Sequence, residues 1–269
     1  VNSTLAAALV AAKMQIPVAH VEAGLRSFDR TMPEEINRVL TDHISDLLFC
    51  PTRTAVENLR REGVTNGVHL TGDVMVDAQK DCERIAENKS HILQTLKLKP
   101  KDYYLATVHR ASNTDDPEKL RAIAEALKDL ENVVFPCHPR AEKYLRESGL
   151  WDDLIRKIEV IKPVGYLDML LLEKNAKKII TDSGGVQKEA YLLGIACITL
   201  RDKTEWVETV EDGWNVLVGP NKEKIVSTIR CFEPSHERQD VFGKGDASIK
   251  IADLVEKLAY GSHEKTGGS

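Results

Sequence analysis

Residues 177–190 hold the side chains and backbone groups whose spacing points most clearly to chemistry. A short β-branched run breaks there at Asp-Ser-Gly-Gly and continues into a helix-forming sequence, which predicts a strand, a tight turn and a helix N-terminus. Gly184 and Gly185 let the backbone approach a ligand closely or adopt a positive φ angle. The first free N–H groups of the helix would then bind a phosphate. An ordinary turn capped by Asp182 or Ser183 is the alternative interpretation.

Other polar residues follow the ends of predicted strands in the second half of the chain. His109 and Arg110 follow one strand, residues 138–140 (His-Pro-Arg) follow another, and Arg201 follows a third. Glu189 lies about one helical turn beyond the two glycines, where a carboxylate can accept hydrogen bonds from both hydroxyls of a ribose. Because ligands of open parallel sheets collect at the carboxyl ends of the strands, this pattern predicts a basic rim that binds phosphate.

The candidates for acid–base chemistry lie in the first half of the chain. Glu22 follows a predicted buried strand, where partial burial suits a carboxylate for proton transfer. Glu34 and Glu35 open a predicted helix, whose dipole such carboxylates also complement. For Glu35 we favour that structural role, whereas for Glu34 both roles remain open. His20 lies inside the strand and is predicted to be a core histidine with a satisfied hydrogen bond.

The elements that must position these residues predict an α/β fold. From residue 101 onwards, predicted strands alternate with predicted helices; the strands are residues 103–108, 132–137, 158–161, 179–181 and 196–200. This order predicts a parallel sheet with helices on both faces.

The rest of the chain completes the predicted domain organisation. Residues 1–95 contain about three short predicted strands, fewer than a complete doubly wound domain needs, so we expect this N-terminal domain to be incomplete. The charged, proline-containing residues 96–102 are predicted to be a linker. The predicted domains are therefore residues 1–95 and 101–245, followed by a C-terminal helix and disordered tail over residues 246–269, with the tail beginning at Gly261.

Composition narrows the possible functions. The chain has 269 residues and a formal net charge of −5, which argues against nucleic acid as the main partner. It has no apolar run of about 18 residues, so no membrane span is predicted. The five cysteines are widely spaced, and no two of them form a Cys-x-x-Cys motif. Reduced thiols in a cytoplasmic protein fit this pattern better than disulfides or a zinc site.

Three segments resemble the non-hydrolysing UDP-N-acetylglucosamine 2-epimerases: residues 20–27 (His-Val-Glu-Ala-Gly-Leu-Arg-Ser), 32–38 (Met-Pro-Glu-Glu-Ile-Asn-Arg) and 181–187 (Thr-Asp-Ser-Gly-Gly-Val-Gln). Residues 107–110, 138–140 and 201–205 fit the same family in the same order. The resemblance covers about residues 1–220. It implies two Rossmann-like domains that face each other across a cleft, the GT-B arrangement. The N-terminal domain would be incomplete, because the family carries a segment with a catalytic Asp before the position of Val1.

The resemblance also implies a reaction, the interconversion of UDP-N-acetylglucosamine (UDP-GlcNAc) and UDP-N-acetylmannosamine (UDP-ManNAc). The family is thought to eliminate UDP, which leaves a 2-acetamidoglucal, and then to add UDP back with the opposite configuration at C2. Glu22 and Glu34 match the catalytic glutamates of the family, and His109 matches its catalytic histidine.

The implied UDP site lies in the second half of the chain. Its residues are Arg110, Tyr166, Met169, Ser183, Gly184, Gly185, Glu189 and Arg201. Tyr166 and Met169 fall in the segment that lies against the uracil in the family, although core packing explains them equally well. Trp206 and Val207 stand where many members have Arg-Pro, and Ser112 replaces a common acidic residue.

The implied partners are UDP-GlcNAc and UDP-ManNAc, and the resemblance implies a homodimer. The absence of an Asp-x-Asp motif fits stabilisation of the departing UDP by a helix dipole and basic side chains, so neither a metal nor a cofactor is expected. Two alternatives remain open. The first is a hydrolysing 2-epimerase, which releases free ManNAc and UDP. The second is a protein that binds UDP-sugars without turnover.

Overall fold

The structure, a computed structural model, describes residues 2–261. Their strands are β1 (Ala19–Val21), β2 (Leu47–Cys50), β3 (Val68–Leu70), β4 (Tyr104–Thr107), β5 (Val133–Pro136), β6 (Glu159–Ile161), β7 (Lys178–Thr181), β8 (Cys197–Thr199) and β9 (Asn215–Leu217). The helices are α1 (Asn2–Lys13), α2 (Pro33–His43), α3 (Arg53–Arg61), α4 (Val74–Lys89), α5 (Ile92–Thr95), α6 (Ala111–Thr114), α7 (Pro117–Lys128), α8 (Pro139–Glu147), α9 (Trp151–Leu154), α10 (Tyr166–Asn175), α11 (Gly184–Leu193), α12 (Val207–Glu211), α13 (Lys222–Cys231) and α14 (Ala247–Gly261). None of these helices is both long and apolar enough to cross a membrane.

The chain divides into two compact units. The first unit contains the residues up to Asp81 and the segment that starts at Asp240, and the second unit is Cys82–Gln239. Residues 96–102, predicted to be a linker, instead pack on the second unit, because Leu96 and Leu98 contact its apolar core. The predicted disordered tail lies outside the described residues, apart from Gly261 at the end of α14.

The second unit is built on a parallel sheet of six strands in the order β6-β5-β4-β7-β8-β9. Counted within the unit, this order is 3-2-1-4-5-6, that of the doubly wound nucleotide-binding fold. The predicted parallel sheet of an α/β fold is therefore confirmed. Strand β9 is an additional strand that was not predicted from the sequence. The order reverses between β4 and β7, which pair from Tyr104 with Lys178 to Thr107 with Thr181.

Buried residues on both faces of this sheet explain why its strands are almost continuously apolar. Side chains alternate along each strand, so Ala106 and Ile180 enter one buried cluster and Leu105 and Ile179 enter the other. Both clusters are covered by helices, as expected for a parallel sheet. This packing fixes the carboxyl ends of β4 and β7 side by side.

The first unit contains a parallel sheet of three strands in the order β1-β2-β3 within the described residues. All four residues of β2 are buried, whereas Ala19 and Val21 of the edge strand β1 are exposed. Hydrogen bonds join the C-terminal segment to the rest of this unit. The Asp73 N–H donates to the carbonyl of Phe242 at 2.9 Å. The Asp77 carboxylate accepts from the Ser248 N–H at the start of α14 at 3.0 Å.

Candidate active site

The Asp-Ser-Gly-Gly turn lies where the strand order of the second unit reverses. Ser183 caps α11, since its Oγ accepts from the Val186 N–H at 3.4 Å. Gly184 and Gly185 are the first two residues of the helix, and neither has a positive φ. A Cβ on Gly184 would lie 2.4 Å from Oε1 of Glu205, whereas one on Gly185 would meet only the Ser183 Oγ, at 3.8 Å. The absence of a side chain at Gly184 therefore leaves room for the Glu205 carboxylate. The absence of a side chain at Gly185 leaves the helix N-terminus open.

A fully buried carboxylate, Asp182, joins the ends of β4 and β7. It accepts hydrogen bonds from the N–H of His109 at 3.1 Å, the N–H of Arg110 at 3.0 Å and Nδ2 of Asn113 at 3.1 Å. Asn113 also donates to the carbonyl of Leu200, at the end of β8, at 3.0 Å. Asp182 therefore fixes the loop that carries the predicted catalytic histidine.

His109 lies between a buried carboxylate and a second histidine. Its Nδ1 lies 3.3 Å from Oδ1 of Asp182, and its ring centroid lies 5.8 Å from that of His138. Burial lowers the pKa of His109, and the charges of His138 and Arg110 lower it further, while Asp182 opposes the shift. A proton on Nδ1 would face Asp182 and leave the lone pair on Nε2. The lowered pKa favours the neutral imidazole, which can accept a proton.

Two arginines converge on a buried carboxylate beside the α11 N-terminus. Nη2 of Arg201 donates to Glu205 at 2.9 Å, and Nη2 of Arg110 lies 3.7 Å from Glu205 Oε1. Nε of Arg110 also donates to the carbonyl of Asp182, at 2.9 Å. Burial alone would raise the pKa of Glu205, but the charge and hydrogen bond of Arg201, a backbone hydrogen bond and the charge of Arg110 together lower it. The trio carries one net positive charge next to the helix N-terminus.

Glu189 lies on α11 with only 8% of its surface exposed. Tyr166, at the start of α10, forms a side-chain hydrogen bond with it, and this bond helps to raise the pKa of Tyr166. Met169 packs against the apolar core of the second unit, which favours the packing interpretation of that residue. The Lys188 Nζ lies 4.1 Å from the ring centroid of Trp206, one of the positions at which this chain departs from the family pattern.

In the first unit, Glu22 directly follows β1 and has a left-handed backbone with φ of 64°. Such a conformation is uncommon for a residue with a side chain. Gly24, with φ of 79°, is required because a Cβ would lie 2.3 Å from the carbonyl oxygen of Ala55. Glu34 is exposed in the first turn of α2.

Glu35 has the structural role that we favoured, although its contacts differ from those expected. Its carboxylate accepts hydrogen bonds from the Ser27 N–H at 3.0 Å and the Phe28 N–H at 2.9 Å, and it pairs with Arg38 at 3.1 Å. It therefore binds the loop after Glu22 as well as lying at the helix N-terminus.

The ring of His20 has a hydrogen-bond partner, as predicted, but the partner is a residue that the sequence did not single out. Its Nδ1 lies 2.6 Å from Oδ1 of Asp42. The other oxygen of Asp42 accepts from the Gly24 N–H at 3.1 Å and from Nη1 of Arg26 at 2.7 Å. Asp42 thus fixes both His20 and the turn that follows Glu22. The predicted site residues divide accordingly: Glu22 and Glu34 belong to the first unit, and all the others belong to the second.

The parallel sheet, with a capped Ser-Gly-Gly turn where its strand order reverses, places the chain among the doubly wound α/β proteins. Comparison with known proteins identifies the family. A family model described as UDP-N-acetylglucosamine 2-epimerase matches residues 1–256. The chain is 54% identical to a UDP-N-acetylglucosamine 2-epimerase homolog of Methanococcus maripaludis, over 96% of this chain and 73% of the relative. The UDP-2,3-diacetamido-2,3-dideoxy-D-glucuronate 2-epimerase of Pseudomonas aeruginosa is 46% identical, over 96% and 73% of the two chains.

Solved structures agree. The Methanocaldococcus jannaschii UDP-GlcNAc 2-epimerase, crystallised with UDP-GlcNAc and UDP, matches with a TM-score of 0.87 and 48% identity, over 95% of this chain and 73% of that one. The chain therefore belongs to the UDP-N-acetylglucosamine 2-epimerase family. Epimerases are isomerases, so the predicted family, its enzyme class and the GT-B fold class are confirmed.

Proposed function

We propose that this protein interconverts UDP-GlcNAc and UDP-ManNAc by eliminating UDP and adding it back, without net hydrolysis. The convergence of His109, Arg110 and the N-terminus of α11 on Asp182 carries the proposal, because it gathers a proton acceptor and phosphate-binding groups at one sheet edge. The Methanocaldococcus jannaschii relative, solved with UDP-GlcNAc and UDP, supports the choice of ligand.

In the proposed UDP site, the first N–H groups of α11 bind the phosphates. The capped turn of Ser183, Gly184 and Gly185 presents these groups, and the helix dipole favours an anion there. Arg110 and Arg201 add positive charge that Glu205 only partly neutralises. Glu189 binds the ribose hydroxyls. Tyr166 lies against the uracil, and Met169 borders the same segment while it packs against the core of the second unit.

The proposed chemistry moves one proton and one leaving group in each direction. A base removes the C2 proton, the C1–O bond to UDP breaks, and a C1–C2 double bond forms. Protonation of C2 on the opposite face, with attack of the UDP oxygen on C1, completes the inversion. Glu22 and Glu34 act as the acid and base at the sugar. His109 exchanges a proton through Nε2, and the arginines and helix N-terminus stabilise the departing UDP.

Product analysis tests this proposal. The purified protein is incubated with UDP-GlcNAc, and the sugars are identified by proton NMR. We expect UDP-ManNAc in equilibrium with UDP-GlcNAc and no free ManNAc. Stoichiometric ManNAc and UDP would instead show the hydrolysing reaction, and UDP-GlcNAc binding without product would select the non-catalytic alternative. A parallel assay uses UDP-2,3-diacetamido-2,3-dideoxy-D-glucuronate, because the Pseudomonas aeruginosa relative acts on that sugar and is 46% identical.

We further propose that the enzyme works in the cytoplasm as a homodimer. All five cysteines are free thiols, and burial raises the pKa of Cys50, Cys137 and Cys197 to about 12, which keeps these thiols unreactive. A reducing compartment suits such a set. Sedimentation velocity at micromolar concentration tests the dimer, and a single species with the mass of one chain would contradict it.

A further inference from the structure

A second glutamate lies behind the proposed ribose site. Glu173, on α10, is completely buried in the second unit. Among the described residues, no donor forms a hydrogen bond with either of its carboxylate oxygens. A buried carboxylate in that state would carry the full cost of its lost hydration. The group is therefore stable there as a neutral carboxylic acid, which has a proton to donate.

The acceptor for that proton is Glu189. Burial raises the pKa of Glu173 well above its ordinary value, and the charge of Glu189 and a side-chain hydrogen bond to it raise the pKa further. Burial raises the pKa of Glu189 as well, but Tyr166, Lys188 and Glu173 all favour its ionised form. Glu173 is thus the protonated member of the pair. Tyr103, Cys82 and Cys197 are the other titratable groups facing this cluster, and burial raises the pKa of Tyr103 and Cys197, so both are neutral near pH 7.

We propose that Glu173 is a positioning residue for nucleotide recognition: as a carboxylic acid it donates a hydrogen bond to Glu189 and holds that carboxylate in the orientation that accepts the ribose hydroxyls. The inference rests on the proposed role of Glu189. It adds two requirements, namely that a donor must stand at position 173 and that the pair must hold one proton. With that proton the pair carries one negative charge; without it, two negative charges would lie close to an anionic ligand.

The test compares UDP with 2′,3′-dideoxy-UDP, because the ratio of their dissociation constants isolates recognition of the ribose hydroxyls. Calorimetric titrations use the full chain and four variants. Glu173→Gln keeps a donor of similar shape, Glu173→Leu removes it, and Glu189→Ala removes the acceptor. Glu118→Gln, an exposed residue of α7, is the matched control.

We expect Glu173→Leu to reduce the preference for UDP about 10-fold or more, as for a lost hydrogen bond to a charged group. Glu173→Gln and Glu118→Gln should keep the preference within about two-fold of the wild-type value. Between pH 6 and pH 10, the wild-type preference should fall as the shared proton is lost, whereas that of Glu173→Gln should stay constant.

A Glu173→Leu variant with the wild-type preference would overturn the inference while leaving the role of Glu189 intact. If Glu189→Ala also keeps the preference, the ribose role of Glu189 itself is wrong. Circular dichroism and thermal unfolding check that each variant is folded. If Glu173→Leu does not fold, the pH dependence of the preference for UDP decides. The same pH dependence in the wild type and in Glu173→Gln would contradict a shared proton.

Discussion

At the scale of single residues, buried carboxylates organise both units. Asp182 and Asp42 accept hydrogen bonds from backbone N–H groups of loops that carry proposed catalytic residues. Glu35 binds the loop after Glu22 in the same way. The sequence placed His109 and Arg110 beside the turn at 182–185 because each follows a strand end, which is a local signal. It did not reveal the role of Asp182, since His109 lies 73 residues away and only the strand order brings them together.

The raised pKa of Glu173 predicts how stability depends on pH. Its folded-state pKa lies above the unfolded value, so between the two pKa values the native state binds more protons than the unfolded state. The free energy of unfolding should therefore fall as pH rises through that interval, by up to about 1.4 kcal/mol per pH unit. The Glu173→Gln variant should lack this fall in the free energy of unfolding.

Urea unfolding between pH 5 and pH 9 measures the effect. The wild-type protein should lose stability relative to Glu173→Gln as pH increases. Equal pH slopes for the two proteins would show that Glu173 does not bury a neutral acid, whatever its effect on ligand binding.

At the scale of elements, the reversal of strand order between β4 and β7 brings the turn at residues 182–185 beside the loop that carries His109 and Arg110. The sequence predicted the alternation of strands and helices because each strand is a short buried run flanked by polar turns. It missed β9, which has three residues and begins with Asn215, a polar side chain bound to Thr199 and Thr209. Residues 96–102 were also predicted to be a linker. The neighbouring lysines make this segment read as solvent-exposed, although Leu96 and Leu98 pack against the core.

The two glycines of α11 should differ sharply in their tolerance of a methyl group. Gly184→Ala would press against Oε1 of Glu205 at 2.4 Å, whereas Gly185→Ala, its matched control, has no neighbour closer than 3.8 Å. Overpacking typically costs about 1–3 kcal/mol, and Gly185→Ala should change stability by about 0.5 kcal/mol or less. Thermal unfolding without ligand measures both. A Gly184→Ala variant as stable as Gly185→Ala would mean that Glu205 is not held against the turn.

At the scale of the whole molecule, the proposed catalytic residues are distributed over both units: Glu22 and Glu34 belong to the first unit and His109 to the second. The substitutions Glu22→Gln, Glu34→Gln and His109→Ala should each lower kcat about 10²–10⁴-fold, the usual effect of losing a general acid or base. UDP affinity should change far less, because these side chains act on the transition state. Steady-state kinetics and UDP titration separate the two effects, with Glu118→Gln as the control. Parallel losses of kcat and of UDP affinity would assign these residues to binding.

The most direct test of the central claim is the fate of the hydrogen at C2 of the sugar. Elimination and re-addition of UDP require that proton to leave and another to enter from the solvent. With UDP-GlcNAc in deuterated water, the protein should form UDP-ManNAc that carries deuterium at C2, as seen by the loss of the C2 proton signal in NMR. UDP-ManNAc that retains the original C2 proton would contradict the mechanism.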